Sequence, residues 1–136
     1  MGEGSYGRTS GSDSRESRSM MERLMVFRLE DEIASLRGEE AWREGDRNAR
    51  TLAKEVDFRV LLTVLRPGVT IGEDSDARAS LQLVEGRATL QLADAQADLG
   101  TGQLAVVDAG QRWSLRAEDE CVLLLTLAWP RENATV

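Results

Sequence analysis

The hydrophobic positions divide the chain into a helical part followed by a much longer strand part. Between Leu29 and Leu36 apolar residues recur every three or four positions, which predicts a short amphipathic helix. Gly38 follows, where the end of a helix favours a residue that tolerates positive φ. A second helical piece is predicted from Glu39 to Glu44, with Trp42 on its apolar face. Both pieces must lay an apolar face on something larger.

From about Arg50 the hydrophobic period changes to two residues. Three segments alternate apolar and polar positions, which predicts strands with one buried face. The predicted buried positions are Ala79, Leu81, Leu83, Ala88, Leu90, Leu92, Trp113, Leu115 and Ala117. Two other segments, Phe58 to Leu65 and Cys121 to Trp129, are apolar at successive positions, so both of their faces need cover. The barrel interior covers one face, and the N-terminal helices, a partner subunit or both cover the other.

Turn signals separate these strands at short intervals. They lie at Pro67-Gly68, Glu85-Gly86, Gly100 to Gly102 and Ala109-Gly110. Between Pro67 and Gly86 we expect a turn, an irregular polar segment, a strand and a second turn. Many short strands with evenly spaced turns predict an all-β sandwich or barrel.

Length and composition indicate one domain of the ordinary globular kind. The chain has 136 residues, of which 41% are hydrophobic. Residues 1–20 are rich in Gly, Ser and charge, and we predict a disordered tail there. Residues 21–136 then form a single domain, with a helical lead-in over 21–47 and a barrel over 48–130.

The charge balance and the apolar runs bound the partners. The net charge of −7 and pI near 4.7 argue against nucleic-acid binding, which needs a clustered basic surface. No apolar run is long enough to span a bilayer, and the N-terminus lacks the apolar run of a signal peptide. We therefore expect a cytoplasmic protein with no membrane or nucleic-acid partner.

The residues that carry most catalytic chemistry are scarce. The chain contains no His, which removes the commonest general base and transition-metal ligand. Its one cysteine, Cys121, lies in the most apolar predicted strand, so we expect a buried and inert thiol.

A glycine-containing motif near the C-terminus gives the strand region a family resemblance. From Gly102 the chain reaches Asp108, Gly110, Trp113 and Ala117 with the spacing of the second motif of the cupins, which are small jelly-roll β-barrels. The cupin motif carries Pro, His and Asn where this chain carries Asp108, Trp113 and Ala117. Both motif glycines are kept.

The first cupin motif is matched less closely, between Gly68 and Gly86. Counting from Gly68 places Asp74 and Asp76 at the two His positions, and counting back from Gly86 places Ala79 at the Glu position. The two counts differ by one residue, so this loop is one residue shorter than the motif. The resemblance to small stand-alone cupins covers about residues 26–130. It implies an all-β, cupin-type jelly-roll β-barrel preceded by one or two short helices.

The resemblance also implies where a metal would be held. Metal-bearing cupins use three His and one Glu, and those positions are Asp74, Asp76, Ala79 and Trp113 here. Ala and Trp cannot ligate, and two aspartates would hold at most a weak hard cation such as Ca²⁺ or Mg²⁺. We therefore expect no metal and no cofactor. A buried indole covers roughly 150–250 Å² and would fill much of this space. The candidate ligand pocket comprises Asp74, Asp76, Ala79, Leu81 and Trp113.

Three functions stay open at this point. The preferred hypothesis is a metal-independent, non-catalytic module that is structural or senses a small molecule, with Trp113 as core packing or as a stacking platform. The second is a metal-free isomerase or hydrolase that uses Asp74 or Asp76 with Arg59 or Arg112. The third is a hard-metal enzyme built on the two aspartates.

The expected partner is a second copy of the chain. The strands that are apolar on both faces, together with Val26 and Phe27, need cover that one small barrel does not obviously supply. We therefore predict a homodimer that binds a small-molecule ligand.

Overall fold

Two short helices precede the sheets, as predicted. The computed structural model describes residues 22–73 and 76–130, so the predicted tail over residues 1–20 and the candidate residue Asp74 lie outside the described residues. Helix α1 spans Leu29–Arg37 and helix α2 spans Glu40–Glu44. The expectation of a positive φ at Gly38 is wrong. Its φ is −87°, because its N–H still donates to the carbonyls of the last helical turn and α2 begins two residues later.

Nine strands follow within the described residues. In chain order they are β1 Arg47–Glu55, β2 Phe58–Leu65, β3 Thr70–Glu73, β4 Arg78–Glu85, β5 Arg87–Gln91, β6 Gln96–Gly100, β7 Leu104–Val107, β8 Trp113–Ala117 and β9 Cys121–Ala128. One antiparallel sheet has the order β1-β2-β9-β4-β7, and the other has the order β3-β8-β5-β6. The chain crosses between the sheets at almost every connection from β2 to β9. This is the predicted jelly roll, with β1 added at one edge.

The stretch between Pro67 and Gly86 is more regular than the pattern indicated. Part of the segment predicted to be irregular is β3, which pairs with β8 from Thr70 opposite Arg116 to Glu73 opposite Trp113. Four residues are too few to show a period, and tertiary pairing determines the conformation. The turn glycines have the expected role: φ is +103° at Gly86, where an added Cβ would lie 2.9 Å from the Cys121 sulfur.

Two apolar clusters share the five-stranded sheet. The inner cluster lies between the two sheets, and its members include Leu65, Leu81, Leu83, Leu115, Leu123 and Trp113. The outer cluster lies between the five-stranded sheet and the helices, with members Ile33, Leu36, Trp42, Leu52, Leu62, Val64 and Val122. Successive residues of β2 and β9 therefore enter opposite clusters, which explains why both strands are predominantly apolar on both faces. The helices supply the second cover.

Polar contacts fix the helices on the sheet. Arg50 of β1 donates to Glu32 of α1 at 2.9 Å and to Glu39 at 2.6 Å. The Arg66 guanidinium lies 3.8 Å from the Trp42 ring centroid and donates to the Trp42 carbonyl oxygen. Among the described residues, no helix has both the length and the apolar character needed to cross a membrane.

Candidate functional site

Three of the five predicted pocket residues lie together inside the barrel. Ala79 and Leu81 project from β4 and Trp113 projects from β8 into the inner cluster, and Trp113 is only 3% exposed. The predicted burial of Trp113 on the same face as Leu115 is confirmed. Asp76 is exposed at the barrel end and does not join them. Leu81 and Leu115 are completely buried, and Leu127 and Leu125, the cross-strand partners of Ala79 and Leu81, are 2% and 7% exposed, so the surroundings of this position are apolar and closely packed.

The residues at the cupin metal position do not fit a metal ion. The Ala79 and Trp113 side chains offer no oxygen, sulfur or imidazole donor, and both are buried among apolar groups. Within residues 22–73 and 76–130, no group of three or more Cys, Asp or Glu side chains is placed to hold a cation. No step of any reaction can therefore be assigned to a metal at this position.

Asp108 occupies the position of the motif proline and holds the β7–β8 turn by a different means. Its Oδ1 accepts hydrogen bonds from Arg78 Nη2 at 2.9 Å and from the Ala109 N–H at 2.8 Å. These bonds, with the Arg78 bond the stronger influence, lower the pKa of the Asp108 carboxyl. The turn closes at Gly110, where φ is +81°. The carboxylate is therefore an anchor for the turn.

Cys121 lies at the opposite end of the barrel and is fully buried, as predicted. Its sulfur is 3.0 Å from the Arg87 carbonyl oxygen and 3.2 Å from the Asp119 carbonyl oxygen. Burial raises the pKa of this thiol, and the two backbone contacts only partly oppose that effect. The thiol is therefore protonated at neutral pH and is a poor nucleophile.

A β-bulge in β1 places Lys54 on the inner face of the five-stranded sheet, opposite Arg59 and near the mouth of the barrel. We use "mouth" for the end at which β2, β4 and β8 begin and β9 ends. Leu52 lies in the outer cluster, and the pairing of β1 with β2 shifts between Thr51 and Ala53, so that Lys54 lies directly opposite Arg59. Without this shift, alternation from Leu52 would send Lys54 to the outer face. We call Lys54 and Arg59 the rim cations.

Arg59 continues the inner row of β2 and lies beside an indole. Its row on β2 includes Leu61, which packs on the inner cluster, and its cross-strand neighbour on β9 is Leu127. The Arg59 guanidinium carbon is 5.2 Å from the Trp129 ring centroid, and Trp129 packs partly buried on the inner cluster. The Trp129 N–H donates to the Asp57 carbonyl oxygen at 2.9 Å, which fixes the residue at the strand end.

The sequence singled out only one member of this group for chemistry. The sequence pairs Arg59 with Asp74 or Asp76 in the metal-free enzyme hypothesis, and it gives no indication that Lys54 or Trp129 belongs to a site. The available signal was a cation at the start of an otherwise apolar strand. The bulge that places Lys54 opposite it has no signature in the sequence.

Solved structures resemble the chain over most of its length. A protein of unknown function from Streptococcus pyogenes aligns with a TM-score of 0.66 and 21% identity, over 90% of this chain and 99% of that one. A cupin-2 domain protein from Shewanella frigidimarina aligns with a TM-score of 0.58 and 19% identity, over 78% and 95% of the two chains. The protein has a cupin fold. The fold implied by the two glycine motifs is thus confirmed.

Enzymes share this fold as well. A salicylate 1,2-dioxygenase from Pseudaminobacter salicylatoxidans aligns with a TM-score of 0.63 and 18% identity, over 75% of this chain but only 34% of the enzyme. No protein-family profile and no curated protein sequence matches the chain. At these identities the cupin likeness concerns the fold, and function has to be argued from the residues.

Proposed function

We propose that the protein is a metal-independent, non-catalytic cupin-fold module that binds a small molecule and acts as a homodimer. The burial of Trp113 in the inner cluster is the observation that carries this proposal. A large apolar side chain occupies the place of a cupin metal ligand, and the nearby positions carry Ala79 and Leu81. A side chain of this size excludes the ion and its substrate by volume as well as by chemistry.

The rival based on aspartates has less support from the residues. Catalysis by a lone carboxylate needs a raised pKa in an enclosed site. Asp76 is exposed, and Asp74 lies outside the described residues. The barrel also offers few buried polar side chains for catalysis, since Thr63 is the only buried polar residue among those described.

Homodimer formation is supported by the edge strand β7. Leu104 and Val106 project from its outer face and are 58% and 66% exposed, opposite the polar residues Gln82 and Ser80 of β4. An edge strand with two large exposed apolar side chains favours pairing with another strand. A second copy would supply an identical strand, as two-fold symmetry requires.

Elemental analysis of the purified protein tests metal independence. We expect iron, manganese, zinc, nickel and copper to be far below one ion per chain, with or without metal supplementation of the growth medium. One transition metal per chain that survives dialysis would overturn the proposal.

Light scattering tests the dimer. The wild-type protein is expected to have twice the chain mass at micromolar concentration, and Val106→Lys is expected to have the monomer mass. Val56→Lys is a matched control, because Val56 is also exposed but lies in the β1–β2 turn, away from β7. A monomeric wild type, or equal masses for both variants, would contradict the dimer.

A further inference from the structure

The rim cations form a like-charge pair in a position where neighbouring side chains interact strongly. Lys54 and Arg59 are direct partners in the antiparallel pairing of β1 with β2, so their Cβ atoms are about 4.5–5.5 Å apart. Both residues are half-buried. Like charges directly opposite each other destabilise a sheet, and partial burial strengthens the repulsion. An anion bound between Lys54 and Arg59 would offset this repulsion.

No described residue supplies that anion. Among the described side chains of residues 22–72 and 76–130, no ion pair includes Lys54 or Arg59, although the chain has 24 acidic and 17 basic residues. The Nε of Arg59 is fully covered and has no hydrogen-bond partner. A covered donor without an acceptor is unusual in a folded protein.

Arg37 shows why the missing carboxylate matters. Its Nε is also covered and without a partner, but its Nη2 lies 2.8 Å from Glu120 and 3.3 Å from Glu85. Its charge is therefore neutralised by the protein. Arg59 has the same covered nitrogen, and no described side chain forms an ion pair with it.

Trp129 adds an apolar surface beside the cations. It directly follows β9, two residues beyond Leu127 toward the mouth, and its backbone N–H donates to the Asp57 carbonyl oxygen. The pairing of Arg59 with Leu127 and of Leu127 with Ala79 puts Arg59 two strands, about 10 Å, from the family's Glu position. The site therefore lies at the rim of the filled interior.

We propose that Lys54, Arg59 and Trp129 form a binding site for a small aromatic carboxylate. The planar guanidinium of Arg59 matches the two oxygens of a carboxylate, and the Lys54 ammonium adds a second charge. The Trp129 ring offers an apolar face to the aromatic part of the ligand. The inference rests on the proposed function in one respect: the ligand is bound without a metal.

The test uses benzoate, with benzamide as a neutral molecule of nearly the same shape. Binding to the full-length protein is measured by isothermal titration calorimetry and by tryptophan fluorescence. Wild-type protein is expected to bind benzoate about tenfold to a hundredfold more tightly than benzamide, because charge-assisted hydrogen bonds are lost with the neutral ligand. Equal affinity for the two molecules, or no benzoate binding, overturns the proposal.

Two substitutions and one control locate the binding site. Arg59→Gln and Lys54→Gln are each expected to weaken benzoate binding about tenfold or more. Arg59→Lys keeps the charge but loses the planar guanidinium, so its affinity for benzoate should lie between those of Arg59→Gln and wild type. Arg87→Gln removes an equivalent charge at the opposite end of the barrel, where Arg87 pairs with Asp119, and should bind like wild type. An Arg59→Gln protein that melts normally and binds benzoate like wild type overturns the assignment.

A chelator arm separates this inference from the proposed function. The titrations are repeated after exhaustive EDTA treatment and removal of the chelator. Unchanged binding supports both. Binding that disappears with EDTA and returns with added metal contradicts metal independence. Absence of binding in both arms, with metal-free protein by elemental analysis, refutes only the aromatic carboxylate site.

Discussion

Two tryptophans on the inner face of the barrel have opposite surroundings. Trp113 is almost completely buried and packs among the buried leucines of the inner cluster. Trp129 is partly buried at the mouth and lies beside the Arg59 guanidinium. The first fills the position that the cupin family uses for a metal ligand. The second contacts a guanidinium that forms no ion pair with any described side chain. The rim therefore presents a cation beside an indole, whereas the position that corresponds to the cupin metal ligand lies in the apolar core.

The largest expected effect is that of removing the buried indole. Trp113→Ala should lower the free energy of unfolding by about 3–5 kcal/mol, since it removes a large side chain from a close-packed interior and leaves a cavity. Denaturant unfolding measures the change, with Trp113→Phe as the matched variant that keeps part of the volume. A loss below about 1 kcal/mol would show an open interior rather than a packed one.

Removing the rim indole should matter less. Trp129→Ala is expected to cost about 1–2 kcal/mol, because the side chain is only partly buried and its contact with Arg59 is a single cation–π interaction. The same unfolding experiment measures it. If Trp129→Ala were as destabilising as Trp113→Ala, the contrast between the two positions would fail.

Removing the charge of one rim cation should raise the free energy of unfolding, whereas removing one member of an ordinary ion pair lowers it. Lys54→Gln is expected to raise the free energy of unfolding by about 0.2–1 kcal/mol, because it relieves the repulsion with Arg59. Arg50→Gln is the control on the same strand, and it should lower stability by about 1 kcal/mol, since Arg50 pairs with Glu32 and Glu39. Destabilisation by Lys54→Gln would indicate that the protein itself neutralises Lys54.

The smallest expected effect concerns Cys121, which is buried at the end of the barrel opposite the mouth. Its pKa is raised by burial, so its contribution to stability is complete below the pKa of the unfolded thiol, about 8.5, and is lost as pH rises toward the folded value. Wild-type stability should therefore fall more steeply than that of Cys121→Ala between about pH 8 and 10. Identical pH dependence of stability in the two proteins, or rapid labelling of the native thiol by a thiol reagent at pH 7, would contradict the burial of Cys121.

The sequence predicted which side chains fill the barrel interior, but it did not predict which side chains meet at the rim. Alternation predicted the burial of Ala79, Leu81 and Trp113, because each lies in a strand that keeps its period through the element. The short strand β3 was missed because its four residues depend on pairing with β8. The position of Lys54 opposite Arg59 depends on a bulge, which is set by how two strands meet and leaves no periodic trace.

The most direct test of this account follows the tryptophans while a ligand binds. Protein labelled with 5-fluorotryptophan has three fluorine resonances, from Trp42, Trp113 and Trp129, and each can be assigned with a Trp→Phe variant. During a benzoate titration we expect the Trp129 resonance to move, while those of Trp113 and Trp42 stay unchanged. A Trp113 resonance that moves while Trp129 stays fixed would place the ligand inside the barrel and contradict a packed apolar core around Trp113.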